Sequence, residues 1–308
     1  MSAHAVQIPQ GGNFRSMLFV PATSAEKLAK IDGFGALPCI IDLEDSVAIA
    51  LKDSARAVAA AHITASGRSE CLWVRINALP SAWGRADIAA VALPGLQGIV
   101  VPKVEEAEQL IEIDELLRLA EQENGAEPGT VKVMASIETV RGLANARAIA
   151  AVGGRLERLG FGAGDYSRDI GLEWPDPEGL SPTLEAAKIE LVLASRLAGL
   201  LPPDDGSYPN YRDADGLRAE AIHAKRLGFG GKHAIHPDQV PVIEEVFQPS
   251  AEALEHARRI VAAFEEAERG GRAAVGLDGV LIDYPVVYRA MELLGIRQRP
   301  EAEGETSE

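Results

Sequence analysis

Met134-Ala-Ser-Ile-Glu138-Thr139 and Leu159-Gly-Phe-Gly-Ala-Gly-Asp165 are two short apolar runs that each stop in a carboxylate. An unbroken apolar run of this length, closed off by small or polar residues, is the pattern of a strand covered on both faces. The stretch between them is long enough for the helical crossover that parallel neighbours require. Laid side by side, such strands bring Glu138 and Asp165 together at the carboxyl edge of a sheet. Two oxygen ligands there can hold a hard divalent cation and leave most of its coordination to water and substrate.

Outward from this pair, strand-like runs recur at 16–20, 39–43, 72–76, 98–101, 131–137, 159–162, weakly near 200–201, and at 231–235. The segments between them carry helical spacing: Val104, Ala107, Leu110 and Ile111 share a face, as do Leu184, Ala187, Lys188 and Leu191 after the Ser181-Pro182 start signal. Eight such units in about 240 residues predict a (β/α)8 TIM barrel, an α/β fold. A doubly wound sheet would want Gly-x-Gly-x-x-Gly after its first strand. Gly160-Phe-Gly162-Ala-Gly164 is glycine-rich, but it lies late and leads to Asp165. The expected organisation is an N-terminal segment (1–14), the barrel (15–248), a C-terminal extension (249–298) and a polar, disordered tail (299–308). The extension reads as helix–hairpin–helix: an amphipathic helix over 250–269, Asp278-Gly279 as a hairpin turn, and a last helix over 286–294.

Hydrophobic residues make up 47% of the 308 and aromatics only 5%, a mix that suits α/β architecture better than a sandwich. Lys plus Arg number 30 against 46 Asp plus Glu, a net charge of −16, which disfavours nucleic acid and anionic membrane as partners. No apolar stretch reaches membrane-spanning length, and residues 1–12 lack the form of a signal peptide, so a cytoplasmic protein is expected. Cys39 and Cys71 read as reduced, buried thiols.

In a TIM barrel, chemistry sits on the loops that follow the strands. The strand ends supply Asp42, Glu44 and Asp45, then Arg75 and Asn77, then Lys103, Glu138, Asp165, and finally His233 and His236. Glu138 and Asp165 suit Mg2+, with Mn2+ as a substitute. The competing reading is that each merely caps the helix after it. Arg75 ends an apolar strand, and its planar fork suits a carboxylate. It would either grip a substrate or form a buried ion pair. Lys103 is a candidate for electrostatic anion binding or for a Schiff base. His233 and His236 have the spacing of a metal pair, but no third soft ligand accompanies them, which argues against zinc.

Arg15-Ser-Met-Leu-Phe-Val-Pro21, Ile41-Asp-Leu-Glu-Asp-Ser-Val47, Val74-Arg-Ile-Asn77, Val101-Pro-Lys103, Ile137-Glu-Thr139, Gly162-Ala-Gly-Asp-Tyr-Ser-Arg-Asp169 and Gly228-Phe-Gly-Gly-Lys-His-Ala-Ile-His-Pro237 follow one another in order. Together they resemble the citrate lyase beta-subunit-like proteins, the group that includes malyl-CoA and citramalyl-CoA lyases. The resemblance runs from about residue 15 to about 294. It implies a Mg2+-dependent carbon–carbon lyase that cleaves a 3-hydroxyacyl-CoA thioester, assembled as a homotrimer or hexamer. It also implies roles: Glu138 and Asp165 as metal ligands, with Glu138 also touching substrate, and Arg75 on the acid fragment. Glu44 and Asp45 would lie beneath the metal's waters, and Arg15 and Lys30 near the CoA phosphates. Asp283, in Leu281-Ile-Asp-Tyr-Pro285, would be an acid/base delivered from a neighbouring subunit, with Leu281 standing where the family usually has Met.

Two rivals follow from the same likeness. Metal-dependent aldolases acting on free hydroxy-keto acids typically carry a His in the turn after the second strand. Here that turn is Asp42-Leu-Glu-Asp45, without His, which favours the thioester lyase. The other rival is a subunit of a citrate lyase complex working on an acyl-carrier-protein thioester.

Overall fold

The computed structural model describes residues 14–66, 71–175 and 181–296. The tail expected at 299–308, and all but the end of the N-terminal segment, lie outside the described residues. Eight strands follow in order: β1 (Ser16–Pro21), β2 (Cys39–Asp42), β3 (Leu72–Arg75), β4 (Gly98–Val101), β5 (Lys132–Ile137), β6 (Leu156–Phe161), β7 (Asp204–Asp205) and β8 (Gly231–Ala234). Every neighbouring pair is parallel, and β1 pairs with β8, so the sheet closes on itself. This is the expected TIM barrel.

Alternation along the strands gives each residue one of two destinations. Leu18, Ile41, Val74, Ile99 and Ala135 face the surrounding helices in the main core. Their neighbours Met17, Ile40, Trp73, Val100 and Met134 form a second apolar cluster that fills the barrel interior. Trp73 is fully buried, and a methyl group built on Gly98 would run into its ring, so a glycine is required there. On the β6–β8 side the interior is polar instead: Arg158 donates to both oxygens of Asp204 at 2.9 and 3.0 Å, beside His233.

The seventh strand departs from expectation. It is Asp204–Asp205, after the Pro202-Pro203 break, and not the apolar Leu200–Leu201. Both carboxylates are buried, Asp204 against Arg158 and Asp205 between Lys188 and Lys232. Its stabilising partners are charged groups far away in sequence, so no hydrophobic pattern marks it.

Contacts divide the chain into two compact units that meet between Phe247 and Gln248. The second contains the helix Ala251–Arg269, the antiparallel hairpin β9 (Val275–Leu277) and β10 (Val280–Ile282), and the helix Tyr284–Leu293. Ile260, Phe264, Ile282 and Val287 are among the residues of its own small core. The hairpin turns at Asp278 and Gly279, both at positive φ (52° and 83°), the conformation an Asp-Gly type I′ turn demands. Cys39 and Cys71 are free and buried. Among the described residues, no helix is long and apolar enough to cross a membrane.

Candidate active site

A cavity of about 640 Å³ opens at the carboxyl ends of the strands. Arg75, Glu138, Asp165, Asp42, Asp45 and His233 are among its walls.

Glu138 follows β5 directly and is 6% exposed. It caps no helix. Thr139 does, its side chain accepting a hydrogen bond from the Gly142 N–H at 3.0 Å. Asp165 lies inside the first turn of the helix Ala163–Ile170, whose N-cap is Gly162. The capping explanation of the two carboxylates is thereby removed. Gly162 is obligatory for a different reason: a methyl group built on it would overlap the Glu138 carboxylate.

Lys103 organises the pair. Its backbone N–H donates to Glu138 Oε1 at 2.8 Å, and its Nζ lies 2.6 Å from Glu44 Oε1 and 2.9 Å from Asp165 Oδ2. The residue has φ of 52°, unusual for a side chain with a Cβ, and this turns both its amide and its ammonium into the site. Burial disfavours its charge, but the hydrogen bonds and charges of Glu44, Asp165 and Glu138 together more than offset that and raise its pKa. A firmly protonated amine is not a nucleophile, so the Schiff-base alternative for Lys103 falls away.

Arg75 ends β3 and is held bidentately by Asp42, with Nε to Oδ1 at 2.7 Å and Nη2 to Oδ2 at 2.8 Å. Its Nη1 reaches Glu44 at 3.1 Å and Asp45 at 3.3 Å, and its plane lies 4.7 Å from the Phe19 ring. Asp42 also accepts from the backbone N–H groups of Glu44 and Ser46, which folds the acidic turn around itself. Behind the turn, the buried Lys52 donates to the Leu43 and Glu44 carbonyls, and Asn77 donates to the Leu43 carbonyl.

The charge balance of this wall is uneven: among the described residues Asp42, Glu44, Asp45, Glu138 and Asp165 are answered by Arg75 and Lys103, with the exposed Arg168 3.6 Å from Asp165. Burial, reinforced by the Glu44 charge, pushes Glu138 up to about 8. Burial also raises Glu44, despite Arg75 and Lys103. Carboxylates crowded this way favour an added cation, and all the donors are oxygens, which fits Mg2+. Among the described residues no set of three or more His, Cys, Asp or Glu side chains forms a complete ligand sphere. An ion here would be held by Glu138 and Asp165 and completed from outside the chain.

Other expected residues go elsewhere. Arg15 immediately precedes β1, at the amino edge and so at the opposite end of the barrel, where it faces Glu244 at 3.8 Å. The structure therefore separates it from this cavity. Lys30 lies in the last turn of the helix Ala25–Ile31, exposed and paired with Glu26 at 2.7 Å, and does not line the cavity. His233 is buried on the barrel axis with its ring edge-on to Phe19, while His236 stacks on Tyr211 outside, so the two form no metal pair. Asp283 belongs to the second unit, where it caps the last helix by accepting from the Val286 N–H at 3.4 Å. Sequence reasoning passed over Phe19 and Lys52. Phe19 is visible only as an interior strand residue and Lys52 only as a helix start, and neither position carries a signal for what it touches.

The residue pattern of the HpcH/HpaI aldolase/citrate lyase family matches residues 15–237. The citrate lyase subunit beta of Haemophilus influenzae is 36% identical over 290 residues, covering 92% of this chain and 98% of the relative. The (3S)-malyl-CoA thioesterase of Cereibacter sphaeroides is 35% identical over 287 residues, covering 92% of this chain and 95% of that one. The protein CitE from Mycobacterium tuberculosis, solved in complex with magnesium, acetoacetate and coenzyme A, superposes with a TM-score of 0.74 at 31% identity. That match covers 92% of this chain and 97% of the other.

Proposed function

The chain belongs to the HpcH/HpaI aldolase/citrate lyase family, and on that premise we propose that it is a Mg2+-dependent lyase. It would split a 3-hydroxyacyl-CoA thioester such as malyl-, citramalyl- or citryl-CoA into a 2-oxo acid and an acyl-CoA. One observation carries the reading: an acidic wall short of positive charge, with an arginine beside it, surrounds a cavity of substrate size. The complexes of the Mycobacterium tuberculosis protein with magnesium and small oxo acids, and with coenzyme A, support it.

Glu138 and Asp165 would hold the ion, which when bound supplies Lewis-acid polarisation of the substrate oxygen that becomes the keto group. Arg75 binds the carboxylate of the acid half. Asp45, whose side chain is 64% exposed, is the partner that an incoming carboxylate most readily displaces. Glu44, tied to both Arg75 and Lys103, fixes these two cations under the substrate. Carbon–carbon cleavage sends the bonding electrons onto the thioester α-carbon. Asp283, delivered from a neighbouring copy of the chain, takes the hydroxyl proton and returns it to that carbon.

The test is a screen of malyl-, citramalyl- and citryl-CoA with Mg2+, following 2-oxo acid. Release of oxo acid that stops in chelator is expected. Release of free hydroxy acid and CoA alone, with no oxo acid from any substrate, would overturn the reading in favour of thioester hydrolysis. The shared site has its own test, in which Asp283→Asn mixed with Glu138→Gln should regain activity that neither variant has alone. No recovery despite demonstrated subunit exchange would contradict it.

A further inference from the structure

A second cavity of about 250 Å³ lies beside the catalytic one, between the helices Pro182–Leu197 and Ala214–Leu227. Ala163 and Trp174 stand in the walls of both. We propose that this side chamber receives an alkyl substituent on the α-carbon of the thioester half, and that Trp174 is the partition that sets how long the substituent can be. The inference rests on the lyase reading above.

The chemistry of the chamber is what assigns it to hydrocarbon. Among the described residues, its apolar surface comes from Trp174, Pro175, Leu184, Pro209 and Ala219, with the ring of Tyr208. The ionisable groups around it are already paired, and Ser181 adds a hydroxyl to the wall. Lys188 is 2.9 Å from Asp205, and Glu220 takes the Lys232 ammonium. The Tyr208 hydroxyl donates to Asp213 at 2.7 Å, and His223 lies 3.2 Å from Glu185. A charged ligand would compete with these pairs, whereas an alkyl chain need not.

The acid half is held between Arg75 and the ion proposed at Glu138 and Asp165, and Trp174 lies beyond the helix that carries Asp165, which leaves the chamber to the thioester half. Arg75, which reads the acid half, projects from β3, whereas Trp174 belongs to the segment after β6, across the barrel. The indole rests against backbone: a methyl group built on Gly164 would come within 3.3 Å of it, so a substituted residue at 164 would press the partition out of place. Trp174 is 39% exposed and belongs to none of the buried core clusters, which makes it a wall that a smaller side chain would remove without opening the core.

The experiment compares kcat/KM for condensation of one 2-oxo acid with acetyl-, propionyl-, butyryl- and valeryl-CoA, in wild type, Trp174→Ala and Trp174→Leu. Each methylene newly buried is worth roughly fourfold. Trp174→Ala should therefore raise the butyryl-to-acetyl ratio by roughly tenfold or more, and Trp174→Leu by less. Adding Leu184→Trp to Trp174→Ala refills the chamber from its far wall and should reverse the gain, which mere loosening of the loop would not do. The ranking of glyoxylate, pyruvate and 2-oxobutyrate should stay put. The same acyl ratio in all three proteins, or a shift confined to the 2-oxo acids, overturns the proposal. Absence of wild-type turnover with every acyl-CoA would instead strike the lyase reading itself.

Discussion

Glu138 at the end of β5 and Asp204 and Asp205 in β7 are all buried carboxyl groups of one barrel, and they live in opposite electrostatic conditions. Asp205 has two ammoniums of its own. Burial alone would raise its pKa, but Lys188 and Lys232 hold it down at about 2. Asp204 has the Arg158 fork, although burial still lifts it to about 6. Glu138 has a single backbone N–H, shares Lys103 with two other acids, and rises to about 8. A carboxylate placed for architecture brings its counter-ion with it. One placed for chemistry is left short, and the deficit is where an ion and a substrate gain their hold.

That contrast can be broken from either side. The largest effect should come from Glu138→Gln: turnover falls by about a thousandfold or more, while the metal-free protein is no less stable than wild type, because burial already disfavours the ionised form that the substitution removes. Parallel assays of rate and urea midpoint check both halves. A variant that unfolds early would mean that Glu138 is structural after all. Asp205→Ala should do the reverse, costing about 3–5 kcal/mol of stability because the buried Lys188 loses its carboxylate and the buried Lys232 loses one of its two. Denaturant unfolding reads this directly, and an unchanged midpoint would erase the distinction between the two kinds of site.

Arg75→Lys keeps the charge and loses the fork. Its KM for the 2-oxo acid should rise by roughly a hundredfold, more than its kcat falls. Equal loss in both would place Arg75 on the transition state and not on the acid half.

The smallest effect concerns His233, which burial, with Lys232 nearby, pushes down to about 3. The unfolded chain takes up a proton at this residue near pH 6.5 and the native protein does not, so its contribution to stability is lost as pH falls from about 6.5 toward 3. Asp204, 3.9 Å away, works the opposite way between about 6 and 3.8, and since it is present in both proteins the difference between them reports mainly on His233. Between about pH 7 and 4.5, wild type should therefore lose about 2–3 kcal/mol more than His233→Gln. Identical losses would mean that His233 titrates normally.

The barrel was legible because its first five strands are mostly apolar runs and the turns between elements use ordinary capping chemistry. β7 was not, since Asp204 and Asp205 are held by Arg158, Lys188 and Lys232, and no local pattern announces partners so remote in sequence. The cavity's acids and Arg75 could be read from a rule of position, that strand ends share one rim. Lys103 could be placed on that rim but not given its geometry, because nothing in Val101-Pro-Lys103 foretells a left-handed backbone. Arg15 was drawn toward the site by motif likeness, whereas its place one residue ahead of β1 puts it at the other end of the strand.

The central claim is that the charge deficit around Glu138 is a cation site. Calorimetric titration of Mg2+ into wild type, Glu138→Gln and Asp205→Asn tests it most directly. The account predicts one saturable site per chain in wild type and in any Asp205→Asn protein that folds, and no measurable site in Glu138→Gln. Equal Mg2+ affinity in wild type and Glu138→Gln would contradict it.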